Sequence, residues 1–367
     1  MKKILIIFGT RPEAIKMCPL VLELKRRAGF RVVVCVTGQH KELLSGVLEV
    51  FSVVPEYDLA IMKEGQALSH VTSGVLIGID DVLCKECPDL VLVHGDTSTT
   101  FTASLAAFYR KIPVYHVEAG LRTHNILSPF PEEFNRRAVS LIATHHFAPT
   151  EHARQNLLSE GVRDADVTVT GNTVIDALSY TVKKDFSHPE LTWADSSRLI
   201  LLTAHRRENL GENMRGIFRA VRRICEEYED VRVLFPCHPN PAVRSIADEE
   251  LRGVKRLHII EPLDTVDFHN FLSRAYLVLT DSGGIQEEAP SFSVPVLVLR
   301  DTTERPEGLS AGTLMLVGTN EENVYEYTRL LLDNEEIYEK MSSAQNPYGD
   351  GKACQKIADF IENKFCI

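Results

Sequence analysis

The chain has 367 residues, 44% of them hydrophobic and 25% charged, with a formal net charge of -11 at pH 7. That length exceeds one ordinary domain and fits two of middling size, and the apolar content is enough for packed cores, which excludes a disordered chain. The acidic balance excludes a nucleic-acid partner, because no basic field would hold a polyphosphate backbone, yet a local cluster of cations still suffices for a nucleotide. The chain opens MKKILIIFGT, an apolar run of strand length without a cleavage-type ending. No later stretch reaches membrane-span length, so a cytoplasmic protein with no membrane partner is expected. Further strand-length runs follow 4–8, at 32–36, 90–93, 114–117, 145–148 and 167–170, with helical patterns between them at 13–26 and 99–109. The polar stretch 183–197, which holds the single tryptophan, reads as a linker. Beyond it the alternation restarts at 199–203, 231–235, 257–260, 277–280, 296–299 and 313–317, and a last helical stretch occupies 351–365. Parallel strands need crossover helices, so two doubly wound α/β halves are predicted. The eight cysteines are scattered. Cys84 and Cys87 form a C-x-x-C without a second pair, which argues for plain thiols and against a metal or redox site.

In open parallel sheets ligands bind beyond the carboxyl ends of the strands. The first run ends in Gly9-Thr10-Arg11-Pro12-Glu13 and leads into a helix carrying Lys16. This loop is not G-x-G-x-x-G, so no nicotinamide cofactor is expected. Cations near a helix start suit a phosphate or carboxylate, although an ordinary turn with solvated charges has the same composition. The runs 90–93 and 114–117 end in His94-Gly95-Asp96 and Glu118-Ala119-Gly120. Consecutive strands often neighbour one another, which would set Asp96 and Glu118 side by side on one rim, about 4.8 Å apart. Glu132 and Glu133 follow at a helix start in PFPEE, where carboxylates commonly just complement the helix dipole, the leading reading for Glu133. Several acids in one crevice would repel one another and raise the pKa of at least one, as suits a general acid or base. On that view Asp96→Asn and Glu118→Gln would slow turnover and leave stability unchanged or higher.

The second half supplies cations and donors. His205-Arg206-Arg207 follows its first run, and a strand-end histidine beside two arginines points to a ligand contact where an isolated one would be structural. The stretch Asp281-Ser282-Gly283-Gly284 before a helix start has the form of a phosphate cradle. Glycines permit close approach there and unpaired N–H groups face the anion, although a Gly-Gly turn alone is weak evidence. Glu287 or Glu288 would accept hydrogen bonds from ribose hydroxyls, and Arg305 adds a cation. Acids thus fall on one half and diphosphate donors largely on the other.

The segments GTRPEAIKM, TGQH, VLVHGDTSTTF, HVEAGLRT, PFPEEFNRR, VTGNTVIDAL, TAHRRENLG and LTDSGGIQEEAPSFSVPVLVLRDTTERPEG span almost the whole chain. In this order they resemble the non-hydrolysing UDP-N-acetylglucosamine 2-epimerases of bacteria. The resemblance implies a glycosyltransferase-B-like α/β fold of two facing Rossmann-like domains, at 1–182 and 198–348, with a C-terminal helix at 349–367 returning to the first. It implies a homodimer, a UDP-sugar substrate, and no cofactor or metal. It assigns Asp96, Glu118, Glu132 and His205 to catalysis. Arg11, Lys16, Arg206, Phe268, Ser282, Gly283, Gly284, Glu288 and Arg305 go to substrate binding, with Phe268 at the uracil. A second, effector-type site would use Gln39, His40, Gln66, Glu133, Arg207 and His238. Two positions depart from relatives, Glu42 in place of glutamine and Gly65 in place of arginine, so weaker effector binding and shallower cooperativity are expected.

The implied reaction interconverts UDP-N-acetylglucosamine and UDP-N-acetylmannosamine. The hydrogen on carbon 2 is not acidic until the anomeric C–O bond breaks and carbon 1 gains positive character. Cations and a helix N-terminus would stabilise the departing UDP, and carboxylates on opposite faces would remove and return the proton. Rival readings are a glycosyltransferase of the same architecture, a hydrolysing epimerase and a catalytically silent UDP-sugar sensor. The full set of acids fits the transferase and the sensor poorly, and the best-known hydrolysing form carries a fused kinase domain for which this chain is expected to be too short.

Overall fold

The computed structural model describes residues 1–38, 41–61 and 65–365. Thirteen strands are found among these: β1 Lys2–Phe8, β2 Phe30–Val36, β3 Tyr57–Asp58, β4 Leu90–His94, β5 Val114–Val117, β6 His145–Ala148, β7 Val167–Val169, β8 Arg198–Thr203, β9 Val231–Pro236, β10 Leu257–Ile260, β11 Leu277–Thr280, β12 Val296–Val298 and β13 Leu314–Leu316. Twelve coincide with the apolar runs predicted above. The two-residue β3 is the addition, too short to leave a pattern.

The chain divides into two compact units, Met1–Tyr180 with Tyr348–Ile367, and Thr181–Pro347. The first holds a parallel sheet in the order β3-β2-β1-β4-β5-β6-β7, the second one in the order β10-β9-β8-β11-β12-β13. In each the order reverses beside the first strand, between β1 and β4 and between β8 and β11, and these are the switch points where ligands bind in doubly wound sheets.

Period-2 alternation sorts each strand's side chains into two layers. Ile4, Ile6 and Phe8 of β1 pack with Met17 and Leu20 of the helix Arg11–Lys25 and with Ile357 and Ile361 of the helix Ala353–Lys364. Leu5 and Ile7 face the other way, onto Val75, Ile79 and Val82 of the helix Leu68–Glu86 and Ala103 and Ala107 of the helix Ser98–Tyr109. All of Ile4 to Phe8 is buried, which is why β1 reads as a continuous apolar run. The second unit repeats the scheme. Ile200 and Leu202 of β8 pack on the helix Glu212–Glu227, whereas Leu199 and Leu201 face Phe271 and Ile285. Arg27 ties the helix Ala353–Lys364 to the first unit through Asp359 at 2.7 Å and Glu362 at 2.6 Å.

The polar stretch 183–197 carries the short helix Pro189–Trp193, and Trp193 stacks on His258 at 3.6 Å with Phe186 and Leu191 against the second unit's core. Among the described residues no helix is long and apolar enough to cross a membrane.

Candidate active site

In the first unit, β4 and β5 pair directly, His94 opposite Val117. Asp96 and Glu118 therefore leave neighbouring strand ends on one rim. Glu118 has φ +60°, a left-handed conformation that a glutamate adopts only when its surroundings hold it there. The turn tightens further at Gly120, φ +90°, where a Cβ would lie 2.2 Å from the Ala153 carbonyl oxygen, so only glycine fits.

The crowded-acid expectation is corrected here, because each of the two acids has its own cation. The Lys16 ammonium pairs with Glu118 Oε2, which also accepts from Asn172 Nδ2 at 2.9 Å. Asp96 pairs with Arg136 at 2.6 Å, and Arg136 reaches Glu133 at 3.3 Å. Asn135 Nδ2 donates to the Asp96 carbonyl at 2.8 Å, holding the loop down. Glu133 is fully buried and accepts from the backbone N–H groups of Thr123 at 3.1 Å and His124 at 3.2 Å. It braces that loop, which adds a second structural duty to its place in the helix's first turn. Glu132 is half-buried, and its carboxylate has no ion pair among the described residues. Arg11, at the first position of the helix after β1, likewise has no ion pair among the described residues.

Two buried groups close the floor of this rim. His94 lies 3.7 Å from Glu118 Oε2, with neither ring nitrogen hydrogen-bonded. Burial pushes its pKa down to about 4; Glu118 opposes that shift and Lys16 adds to it, so the ring is neutral at pH 7. Glu13 is buried and takes five hydrogen bonds. Three come from the loop after β1, Gly9 N at 3.0 Å, Thr10 N at 2.7 Å and Thr10 Oγ1 at 2.8 Å. Two come from the loop after β4 and the first turn of the helix it leads into, Thr97 Oγ1 at 2.8 Å and Thr100 Oγ1 at 3.1 Å. Burial raises the Glu13 pKa and these bonds oppose the rise. Glu13 thus ties together the two loops of the switch point.

The second unit's switch point carries the donors. Thr203 and Thr280 hydroxyls join the ends of β8 and β11 at 2.6 Å. Ser282 caps the short helix Gly283–Glu288 without a side-chain hydrogen bond, which leaves the first N–H groups for a ligand. Arg305 overlies this start, its Nη2 3.8 Å from where a Gly283 Cβ would stand, and is paired with buried Glu287. Glu287 is therefore committed to Arg305. Glu288 is only half-buried and has His269 Nε2 at 3.4 Å, while His269 Nδ1 meets Thr181 Oγ1 at 2.8 Å. Phe268 is half-buried against the core beside Phe271.

The loop after β8 is anchored by Asp281. This fully buried residue accepts at Oδ2 from His205 N at 2.8 Å, Arg206 N at 2.8 Å and Asn209 Nδ2 at 3.1 Å. Burial lowers the His205 pKa; Asp281 opposes this, while His238 and Arg206 add to it. His205 stacks on the exposed His238 at 5.5 Å, and Arg207 is exposed. Gln66 is half-buried just ahead of the helix Leu68–Glu86. Gln39 and His40 lie outside the described residues, as does the Glu42 side chain. Among the described residues no group of three or more His, Cys, Asp or Glu side chains is placed to hold a metal, and Cys84 and Cys87 are exposed free thiols.

Arg136, Asn172, Glu13, His94 and Asp281 were not singled out from sequence. Asn172 follows the end of β7 and Asp281 that of β11, so the strand-end rule reaches both. Glu13 completes a T-x-x-E capping box with Thr10.

Two doubly wound sheets, each gathering charged and glycine-bearing loops at its switch point, define a Rossmann-like enzyme of the nucleotide-sugar class. The profile of the family described as UDP-N-acetylglucosamine 2-epimerase matches residues 22–362. UDP-N-acetylglucosamine 2-epimerase of Bacillus subtilis (strain 168) is 56% identical over 357 residues, covering 97% of this chain and 94% of that one. The crystal structure of a putative UDP-N-acetylglucosamine 2-epimerase from Listeria monocytogenes superposes with a TM-score of 0.96 at 56% identity, over 100% of this chain and 97% of that one. The Neisseria meningitidis enzyme, solved bound to UDP-GlcNAc, gives a TM-score of 0.88 at 48% identity, over 98% of this chain and 100% of that one. The chain belongs to the UDP-N-acetylglucosamine 2-epimerase family of isomerases.

Proposed function

We propose that this chain reversibly epimerises UDP-N-acetylglucosamine at carbon 2 to UDP-N-acetylmannosamine, by anti elimination of UDP and its re-addition, in the cytoplasm, for cell-surface polysaccharide precursors. The observation that carries the reading is the β4–β5 rim, where Asp96 and Glu118 stand on adjacent strand ends, each beside a cation. Elimination needs proton-transfer groups on opposite faces of the sugar. Asp96, Glu118 and Glu132 supply carboxylates for this. A carboxylate beside a fixed cation is held in place, as a base must be.

The leaving diphosphate is stabilised by fixed donors, the largest catalytic contribution in reactions of this kind. In this chain those are Arg206, Arg305, the Ser282 hydroxyl and the N–H groups of Gly283 and Gly284, with Arg11 and Lys16 as further cations, while His205 belongs with the catalytic carboxylates. Glu288 takes the ribose and Phe268 the uracil. In this route carbon 2 gives up and regains a proton and not a hydride, so no nicotinamide takes part. Incubation with UDP-N-acetylglucosamine followed by proton NMR tests the reading. The epimer is expected. Free N-acetylmannosamine would mean a hydrolysing enzyme, and no turnover without an acceptor would mean a transferase or a sensor.

A homodimer belongs to the proposal. Phe108 and Tyr109 on the helix Ser98–Tyr109, and Phe134 and Leu141 on the neighbouring helix Glu132–Ile142, present exposed apolar side chains, and sedimentation tests it. A second UDP-sugar at Gln39, His40, Gln66, Arg207 and His238, with buried Glu133 bracing the loop and not touching the ligand, would bind weakly for want of an arginine at position 65. Gly65 has φ +71° with nothing among the described residues within 4 Å of a Cβ, so Gly65→Arg has room among these but bears about 1 kcal/mol of left-handed strain. Rate against substrate for that variant combined with Glu42→Gln tests the site. An unaltered curve removes these positions from it.

A further inference from the structure

We propose that Asp281 is a positioning residue for His205: its buried carboxylate fixes the imidazole with the proton on Nδ1 and the lone pair on Nε2. The inference rests on the reading of His205 as a catalytic group. Asp281 is fully buried at the end of β11. Its Oδ2 accounts for the folding of the loop after β8, through His205 N, Arg206 N and Asn209 Nδ2. A carboxamide oxygen could still accept from those three donors, though more weakly. The second oxygen is what loop anchoring leaves unexplained. Oδ1 is buried without an aligned hydrogen bond, yet lies 3.2 Å from His205 Nδ1. Leaving a carboxylate oxygen buried and unsatisfied is unfavourable, so its place against the imidazole calls for a reason.

An ionised carboxylate only accepts, so the ring nitrogen facing it carries the hydrogen and Nε2 keeps the lone pair. The same charge favours the imidazolium once Nε2 takes a proton. This opposes the desolvation of the ring and the repulsion from His238 and Arg206, the charged and titratable groups that face it with Asp281. His238 stacks on the ring at 13° between planes and limits its rotation. The position of Asp281 is therefore that of the aspartate in an aspartate–histidine pair, which holds a tautomer without itself transferring a proton.

Asp281→Asn discriminates between anchoring and positioning. Asparagine keeps an oxygen on the three loop donors and turns its NH2 toward Nδ1, which forces the proton to Nε2. The tautomer is read from the ring nitrogen shifts of His205 in protein labelled at histidine, assigned by the signal lost in His205→Asn. Nδ1–H is expected in the wild type and Nε2–H in Asp281→Asn. The protein should stay folded with a lowered unfolding temperature, and kcat should fall roughly 10²–10⁴-fold. In a double-mutant cycle the pair should be no slower than His205→Asn alone, because Asp281 acts through that ring. A wild-type Nε2–H tautomer, or an unchanged tautomer in Asp281→Asn, overturns the inference. If Asp281→Asn fails to fold, the wild-type tautomer alone decides. Full turnover in His205→Asn would overturn the functional reading instead, and the tautomer would still judge the contact.

Discussion

Glu118 sits on a left-handed backbone, accepts from Asn172 and pairs with Lys16, which itself is largely shielded from solvent. Removing its charge therefore does more than relieve repulsion. Glu118→Gln and Asp96→Asn are each expected to lower kcat by roughly 10²–10⁴-fold. Each should also destabilise by about 1–3 kcal/mol, because a charge-assisted contact to a shielded cation is lost. Steady-state kinetics and thermal unfolding check the two halves separately. Near-normal turnover would make the acid structural, and a raised unfolding temperature would restore the picture of crowded charges. Both acids were legible in the sequence because strand ends mark themselves by where an apolar run stops. Their partners were less so. Arg136 lies 40 residues beyond Asp96 on a surface-type helix pattern, and nothing local says that it turns inward.

The loops at the two switch points are shaped by single residues whose demands are steric. Gly120 is the clearest, since its would-be Cβ collides with backbone and its φ is +90°. Gly120→Ala should cost about 3 kcal/mol or more, and should impair activity beyond the loss of folded protein by moving Glu118 two residues away. Denaturant titration with kinetics on the remaining folded fraction measures both. A loss near zero would mean that the loop after β5 is softer than its geometry. A glycine after a strand-end acid is visible in sequence, whereas the approach of the Ala153 carbonyl oxygen is tertiary. The capping box of Thr10 and Glu13 is similar. The local half of its bonding follows from spacing, but the reach of Glu13 to Thr97 and Thr100 follows from the pairing of β1 with β4.

At the scale of the whole chain the alternation of apolar runs and helices foretold two doubly wound sheets, because parallel strands buried on both faces leave a strong, simple pattern. The stretch 183–197 did not declare its packing, since the stacking of Trp193 on His258 depends on a partner 65 residues away. The two units should differ in acid. His94, His116, His145 and His146 are all buried on β4, β5 and β6 of the first unit, and burial pushes their pKa values down to about 4, 3, 4 and 4. The unfolded chain binds protons below its ordinary histidine pKa of 6.5 that these rings refuse until about pH 4. Stability is therefore full above that window and falls as pH drops through it, by up to about 1.4 kcal/mol per group for each pH unit. The single tryptophan lies in the second unit. Far-UV circular dichroism should thus begin to fall before Trp193 fluorescence changes, and coincident transitions would mean that the histidines do not set the acid limit.

The central claim is chemical: the carbon 2 hydrogen leaves as a proton and returns from solvent, with no hydride carrier. Turnover of UDP-N-acetylglucosamine in heavy water, without added nicotinamide, measures this directly by NMR of the product. The expected result is UDP-N-acetylmannosamine carrying deuterium at carbon 2. Product that retains its original hydrogen there, or a requirement for added NAD, would contradict the mechanism.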